Sequence, residues 1–186
     1  TTSCQTPTAE TSDSRPSDPD RAATPAENTP DGRMAAGHEG EASASSPQFV
    51  HVATSARRAC AVDSGGEVTC WGVGFRGKPR PDVDLEQVSL GYSHACGISS
   101  RNRVICWGDD GRRQASPPSG VFEQVSAGYI HTCAVETSGA IQCWGSNEDG
   151  GDILNERTGQ ADPPSGRFVQ VSAGHLHTCA VERSGD

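Results

Sequence analysis

The feature that most limits what this chain can become is a phrase written four times. Aligned on cysteine, HVATSARRACAV (51–62), QVSLGYSHACGI (87–98), QVSAGYIHTCAV (124–135) and QVSAGHLHTCAV (170–181) are copies offset by 36, 37 and 46 residues. A second phrase follows three of them: VTCWG (68–72), VICWG (104–108) and IQCWG (141–145). Chance does not repeat a phrase of that length four times, so the chain from Phe49 onward is an array of like units. A unit this short cannot cover its own faces and must rest on its neighbours.

Within a unit the signals are strand and turn. Val125-Ser126-Ala127 and Thr132-Cys133-Ala134-Val135 carry β-branched residues and are bounded by Gly128 and Gly139. Between the paired cysteines lie turn formers: Ser64-Gly65-Gly66, Ser100-Arg101-Asn102 and Thr137-Ser138-Gly139. Each unit should therefore hold a tight hairpin running to its Trp-Gly, followed by a polar loop, with about four short strands in all. Helical periodicity is absent. A radial stack of such sheets is a β-propeller, so the expected fold class is all-β propeller blades.

Cys60 and Cys70, Cys96 and Cys106, and Cys133 and Cys143 each enclose nine residues, with the turn at the midpoint. A hairpin of that symmetry sets its two cysteines opposite one another, so three disulfides are expected: Cys60–Cys70, Cys96–Cys106 and Cys133–Cys143. Reduced core thiols and zinc are the alternatives, although nine residues is unlike the short C-x₂₋₄-C pairs of structural zinc. Cys179 has no cysteine ten residues further on, because the sequence ends at Asp186 inside that hairpin. This reads as a fragment of a longer array, with the remaining blades of the parent chain as the neighbours it lacks.

The phrases resemble the repeats of the regulator of chromosome condensation family. The resemblance rests on Gly91-x-x-His94, Gly128-x-x-His131-Thr132 and Gly174-x-x-His177-Thr178, and on Trp71-Gly72, Trp107-Gly108 and Trp144-Gly145. It covers residues 49–186 and implies blades at about 49–84, 85–121 and 122–167, with a partial one at 168–186. Rings of this family usually close with seven. The first copy departs from the pattern, with Arg57-Arg58 where the phrase requires His. His94, His131 and His177 recur at one repeat position, as do Trp71, Trp107 and Trp144. Recurrence in every copy assigns them to structure: each His braces its own blade, and each Trp fills the gap between blades.

Residues 1–48 differ from the rest. They hold six of the twelve Pro, fourteen Ser or Thr, and no Val, Ile, Leu, Phe, Trp or Tyr. Such a stretch cannot bury enough apolar surface to offset about 1–2 kcal/mol of backbone entropy per residue, so it is expected to be a disordered, weakly acidic tether. Cys4, near the start of such a tether, resembles the lipidated cysteine of a mature bacterial lipoprotein, which makes it a candidate lipid anchor; the alternatives are a stray thiol or a partner for another cysteine. Thr1 does not match the Leu usual at that distance before it.

A net charge of −9 gives no support for a nucleic-acid binder. No run approaches the ~20 apolar residues of a membrane-spanning helix. No catalytic motif is present and no cofactor or metal is expected. Glu148, Asp149, Asp152 and Glu156 share a loop, but their spacing does not fit an EF-hand. The candidate partner-binding surface is the pair of loops after Trp107 and Trp144, with Asp109, Asp110, Arg112 and Arg113 in one and that acidic set in the other. The expected function is a non-enzymatic protein-recognition scaffold, extracellular or in the cell envelope of a bacterium, with a protein partner and no nucleic acid. One version is a secreted enzyme inhibitor, since WGDDGRRQASPPSG is similar to the repeats of a propeller inhibitor of β-lactamase. The other class is guanine-nucleotide exchange on a small GTPase, the activity that names the family.

Overall fold

The computed structural model describes residues 2–5, 48–55, 58–72, 83–148 and 158–184. Their regular structure is twelve strands: β1 (Thr2–Gln5), β2 (Phe49–Ser55), β3 (Arg58–Asp63), β4 (Val68–Gly72), β5 (Leu85–Leu90), β6 (His94–Ser99), β7 (Val104–Gly108), β8 (Phe122–Ala127), β9 (His131–Glu136), β10 (Ile141–Gly145), β11 (Phe168–Ala173) and β12 (Thr178–Glu182). They form four antiparallel three-stranded sheets, β2-β3-β4, β5-β6-β7, β8-β9-β10 and β11-β12-β1. The fold is all-β, and each sheet is one blade.

Among the described residues each blade has three strands, where about four were expected. The run from Asp109 to Val121 contains no strand, and its Gly111 and Pro117-Pro118 explain why. Proline has no N–H to give to a ladder, and glycine weakens one.

The inner strands β2, β5, β8 and β11 contact one another in sequence order. Each carries a bulge, between Phe49 and His51, Leu85 and Gln87, Phe122 and Gln124, and Phe168 and Gln170. Strict alternation would send Phe122 and Val125 to opposite faces. The bulge turns both to one side, where they are buried against Cys96 and Ile98 of the preceding blade. The same contact recurs as Leu85 and Val88 on Cys60 and Val62, and as Phe168 and Val171 on Cys133 and Val135. The core thus lies between blades, as in a repeat array.

The three expected disulfides are present within blades, with Cα separations of 4.1 Å for Cys60–Cys70, 4.0 Å for Cys96–Cys106 and 4.1 Å for Cys133–Cys143. Each pair sits directly opposite in its ladder.

The fourth hairpin differs from expectation. Strand β1 pairs with β12 and sets Cys4 opposite Cys179, the register position that Cys143 holds opposite Cys133. Cys179 is disulfide-bonded. The residues expected to begin a tether therefore supply the third strand of the last blade. Residues 6–47 of the expected tether lie outside the described residues.

Candidate functional site

Two parts of each blade emerge at the same end. His94 lies opposite Gly108 and His131 opposite Gly145, so the Gly-x-x-His turn and the loop after Trp-Gly start side by side. The Asp109 N–H donates to the Ser93 carbonyl at 3.0 Å, and the Ser146 N–H to the Ile130 carbonyl at 2.9 Å, tying loop to turn. Gly145 makes this exit at a φ of 103°, which a β-carbon would strain.

The turns bring three rings together. Tyr92 and Tyr129 have ring centroids 4.6 Å apart, and Tyr129 stacks on His175 at 4.0 Å with planes 16° apart. Their backbones are stitched across blades, the Tyr92 N–H donating to the Gly128 carbonyl and the Tyr129 N–H to the Gly174 carbonyl. Tyr92 and His175 are exposed and Tyr129 is half-buried. The three occupy one repeat position, the residue after glycine, and sequence reasoning missed them because it gave weight only to the repeated histidines two places on. An aromatic residue at one repeat position in three consecutive copies was the available signal.

The charged loops fall into two kinds. Asp109 accepts from the Gln114 side-chain amide at 2.8 Å and from the Ser93 hydroxyl at 3.2 Å. Asp110 accepts from the Ala115 N–H at 2.8 Å and the Ser116 hydroxyl at 2.6 Å. Both carboxylates hold the loop's shape. Arg112 instead reaches Glu148 of the next loop at 3.4 Å, an exposed pair worth under about 1 kcal/mol. Arg113 is exposed at a φ of 61°. Arg112, Arg113, Ser146, Asn147 and Glu148 line a shallow hollow. Asp149, Asp152 and Glu156 lie outside the described residues.

Beneath this end runs a buried relay between blades. His94 Nε2 lies 2.8 Å from Thr132 Oγ1, and His131 Nε2 lies 3.0 Å from Thr178 Oγ1. Each threonine hydroxyl donates its one proton to a loop carbonyl, Thr132 to Gln114 and Thr178 to Gln160. The histidines must therefore donate from Nε2, which leaves each Nδ1 a bare, buried acceptor with no partner among the described residues. The histidines brace the next blade, not their own as expected. Burial holds both well below the ordinary imidazole range, at about 4, with the Arg58 charge adding to the effect at His94 and the neighbouring His94 and His177 at His131. His177 itself is exposed. The Gly91 and Gly128 positions admit no side chain, because a β-carbon would lie 2.4 Å from the His94 or His131 ring.

The tryptophans follow the same logic. Trp144 packs beside the core between the second and third blades, and its indole N–H donates to the Gln114 carbonyl at 3.0 Å. Trp107 is buried between the first two blades, whereas Trp71 is half exposed. Gln114 and Gln160, both fully buried, were not foreseen; each anchors a loop to the blade that follows.

Stacked blades joined by such contacts make this a β-propeller repeat protein. Residues 86–114 and 122–150 match the family model described as the regulator of chromosome condensation (RCC1) repeat. No curated protein matches the chain. Among solved structures, the CRINKLY WD40 ectodomain of the Arabidopsis thaliana receptor kinase ACR4 is 23% identical with a TM-score of 0.57, over 72% of this chain and 45% of that one. The ectodomain of the Physcomitrella patens receptor kinase CR4 is 22% identical with a TM-score of 0.60, over 78% and 41%. Prp20p of Saccharomyces cerevisiae, described with its binding to Gsp1p and histones, is 14% identical with a TM-score of 0.57, over 74% and 45%. The chain spans less than half the length of these structures. At such identity they speak for the fold alone.

Proposed function

We propose that this chain is a non-enzymatic scaffold that recognises a protein partner outside the reducing cytosol. The observation that carries the reading is the Tyr92–Tyr129–His175 run at the end of the blades, beside the Arg112, Arg113 and Glu148 hollow. Tyrosine and arginine are the side chains that dominate protein-binding hot spots, because they offer large rigid area with a polar tip. Here a hydrogen-bonded backbone holds them in place in advance, which lowers the entropic cost of binding. Three intra-blade disulfides favour an oxidising compartment.

Enzyme inhibition is a specific form of this reading, in which the partner is an enzyme gripped by the same end. Nucleotide exchange on a GTPase fits less well, since it belongs to compartments where such disulfides do not persist.

The test is selection of peptides from a display library against the intact chain, followed by binding to a Tyr92→Ser/Tyr129→Ser variant. The selected peptides should lose at least tenfold in affinity for the variant. Peptides that bind both proteins equally would remove the basis for the reading.

A further inference from the structure

The loops that follow Trp107 and Trp144 end on one phrase, RQASPPSG (113–120) in the first and GQADPPSG (159–166) in the second. They also fold alike there. Gln114 and Gln160 are both fully buried, and their carbonyls accept from the Thr132 and Thr178 hydroxyls in turn. The residue before each has a left-handed backbone, with φ 61° at Arg113 and 73° at Gly159. The turn closes the same way, the Ser116 N–H donating to the Arg113 carbonyl and the Asp162 N–H to the Gly159 carbonyl. A β-carbon opposes this conformation, whereas glycine adopts it freely. The third blade uses glycine. The second holds an arginine in spite of the strain.

No internal contact accounts for that arginine. Its side chain is exposed and makes no hydrogen bond or ion pair among the described residues. Other groups set the shape of the loop: the Asp109 and Asp110 carboxylates, and Gln114, whose Oε1 accepts the Arg112 N–H at 2.8 Å. Strained residues persist where a ligand is clamped and the surroundings hold them in place. The Arg113 side chain lines the same hollow as Arg112, Ser146 and Glu148. Arg112 is committed there, with Nη1 3.4 Å from the Glu148 carboxylate. Arg113 is the guanidinium left over.

We infer that Arg113 anchors a single carboxylate of the protein partner, an Asp or Glu side chain that enters the hollow between the two loops. The planar guanidinium fork matches a carboxylate with two parallel hydrogen bonds. Local charge selects a monoanion. A phosphate dianion would bring further negative charge towards Glu148, Asp109 and Asp110, with no cation left to balance it. The inference rests on the recognition reading and adds what the partner must offer at the blade end that carries the Tyr92–Tyr129–His175 row.

The test uses peptides selected from a display library against the intact chain, with affinities read by fluorescence anisotropy on the wild type and on Arg113→Gly. The peptides should carry an Asp or Glu whose change to Asn or Gln costs about tenfold or more against the wild type and almost nothing against Arg113→Gly. Arg113→Lys keeps the charge and loses the fork, so its affinity should fall between. Gly159 shows that the turn accepts glycine, so Arg113→Gly should bind worse yet melt no lower than the wild type. A lowered melting temperature would mean that the arginine supports the loop, and overturns the inference. Peptides that need Tyr92 and Tyr129 but bind Arg113→Gly undiminished also overturn it, and leave the recognition reading in place. Peptides that need Arg113 and neither tyrosine keep the carboxylate anchor and remove the aromatic row from the reading. Peptides indifferent to all of these residues end both.

Discussion

His131 of the third blade and Thr178 of the fourth share one buried hydrogen bond, 3.0 Å from Nε2 to Oγ1, across a blade boundary. The threonine spends its own proton on the Gln160 carbonyl at 2.7 Å. One side chain therefore joins a histidine on one blade to the loop that leads into the next. Thr132 does the same between His94 and Gln114.

Replacing Thr178 by valine keeps the shape and removes both bonds. The His131 N–H would be left buried without an acceptor. Thr178→Val should cost about 1–3 kcal/mol, read from the denaturant midpoint at unchanged m-value. Ser126→Ala, at a half-buried stitch, should cost less.

The same histidines make stability depend on pH. Their pKa falls to about 4 in the folded chain from 6.5. Between those values the unfolded state binds more protons, so stability drops as pH falls through that window. The loss is at most about 3 kcal/mol per histidine, complete near pH 4 and absent above pH 7. Thermal melts between pH 7.5 and 4 should show the decline, and it should shrink in a His94→Gln/His131→Gln variant. A flat profile from pH 7 to 4.5 would contradict the relay.

Cysteine mapping addresses the last blade. The unreduced protein should show no alkylatable thiol among its eight cysteines, and proteolysis should release Cys179 joined to the N-terminal peptide that contains Cys4. Reactive thiol at Cys179 in oxidised protein would mean that β1 does not close this blade.

The repeat, the hairpins and the three cysteine pairs were legible because each depends on spacing along one chain. What lay between blades was not. The inner-strand bulge breaks the two-residue alternation, so Phe122 and Val125 share a face that no strand pattern would assign them. The His–Thr and Gln–backbone bonds join residues roughly one repeat apart, a distance at which identical copies look like independent structure. The β1–β12 pairing joins the two ends of the chain across a segment of contrary composition, and nothing local announces it. In the candidate site, Arg112 and Glu148 were named from charge, whereas Tyr92 and Tyr129 were not singled out.

Where a partner sits is the central question, and amide hydrogen exchange answers it most directly. The chain would be measured alone and with a peptide selected as above. Protection is expected at the turns 91–94, 128–131 and 174–177 and in the loop 109–114. Protection confined to the hairpin turns 64–67, 100–103 and 137–140, at the opposite end of the blades, would contradict the account.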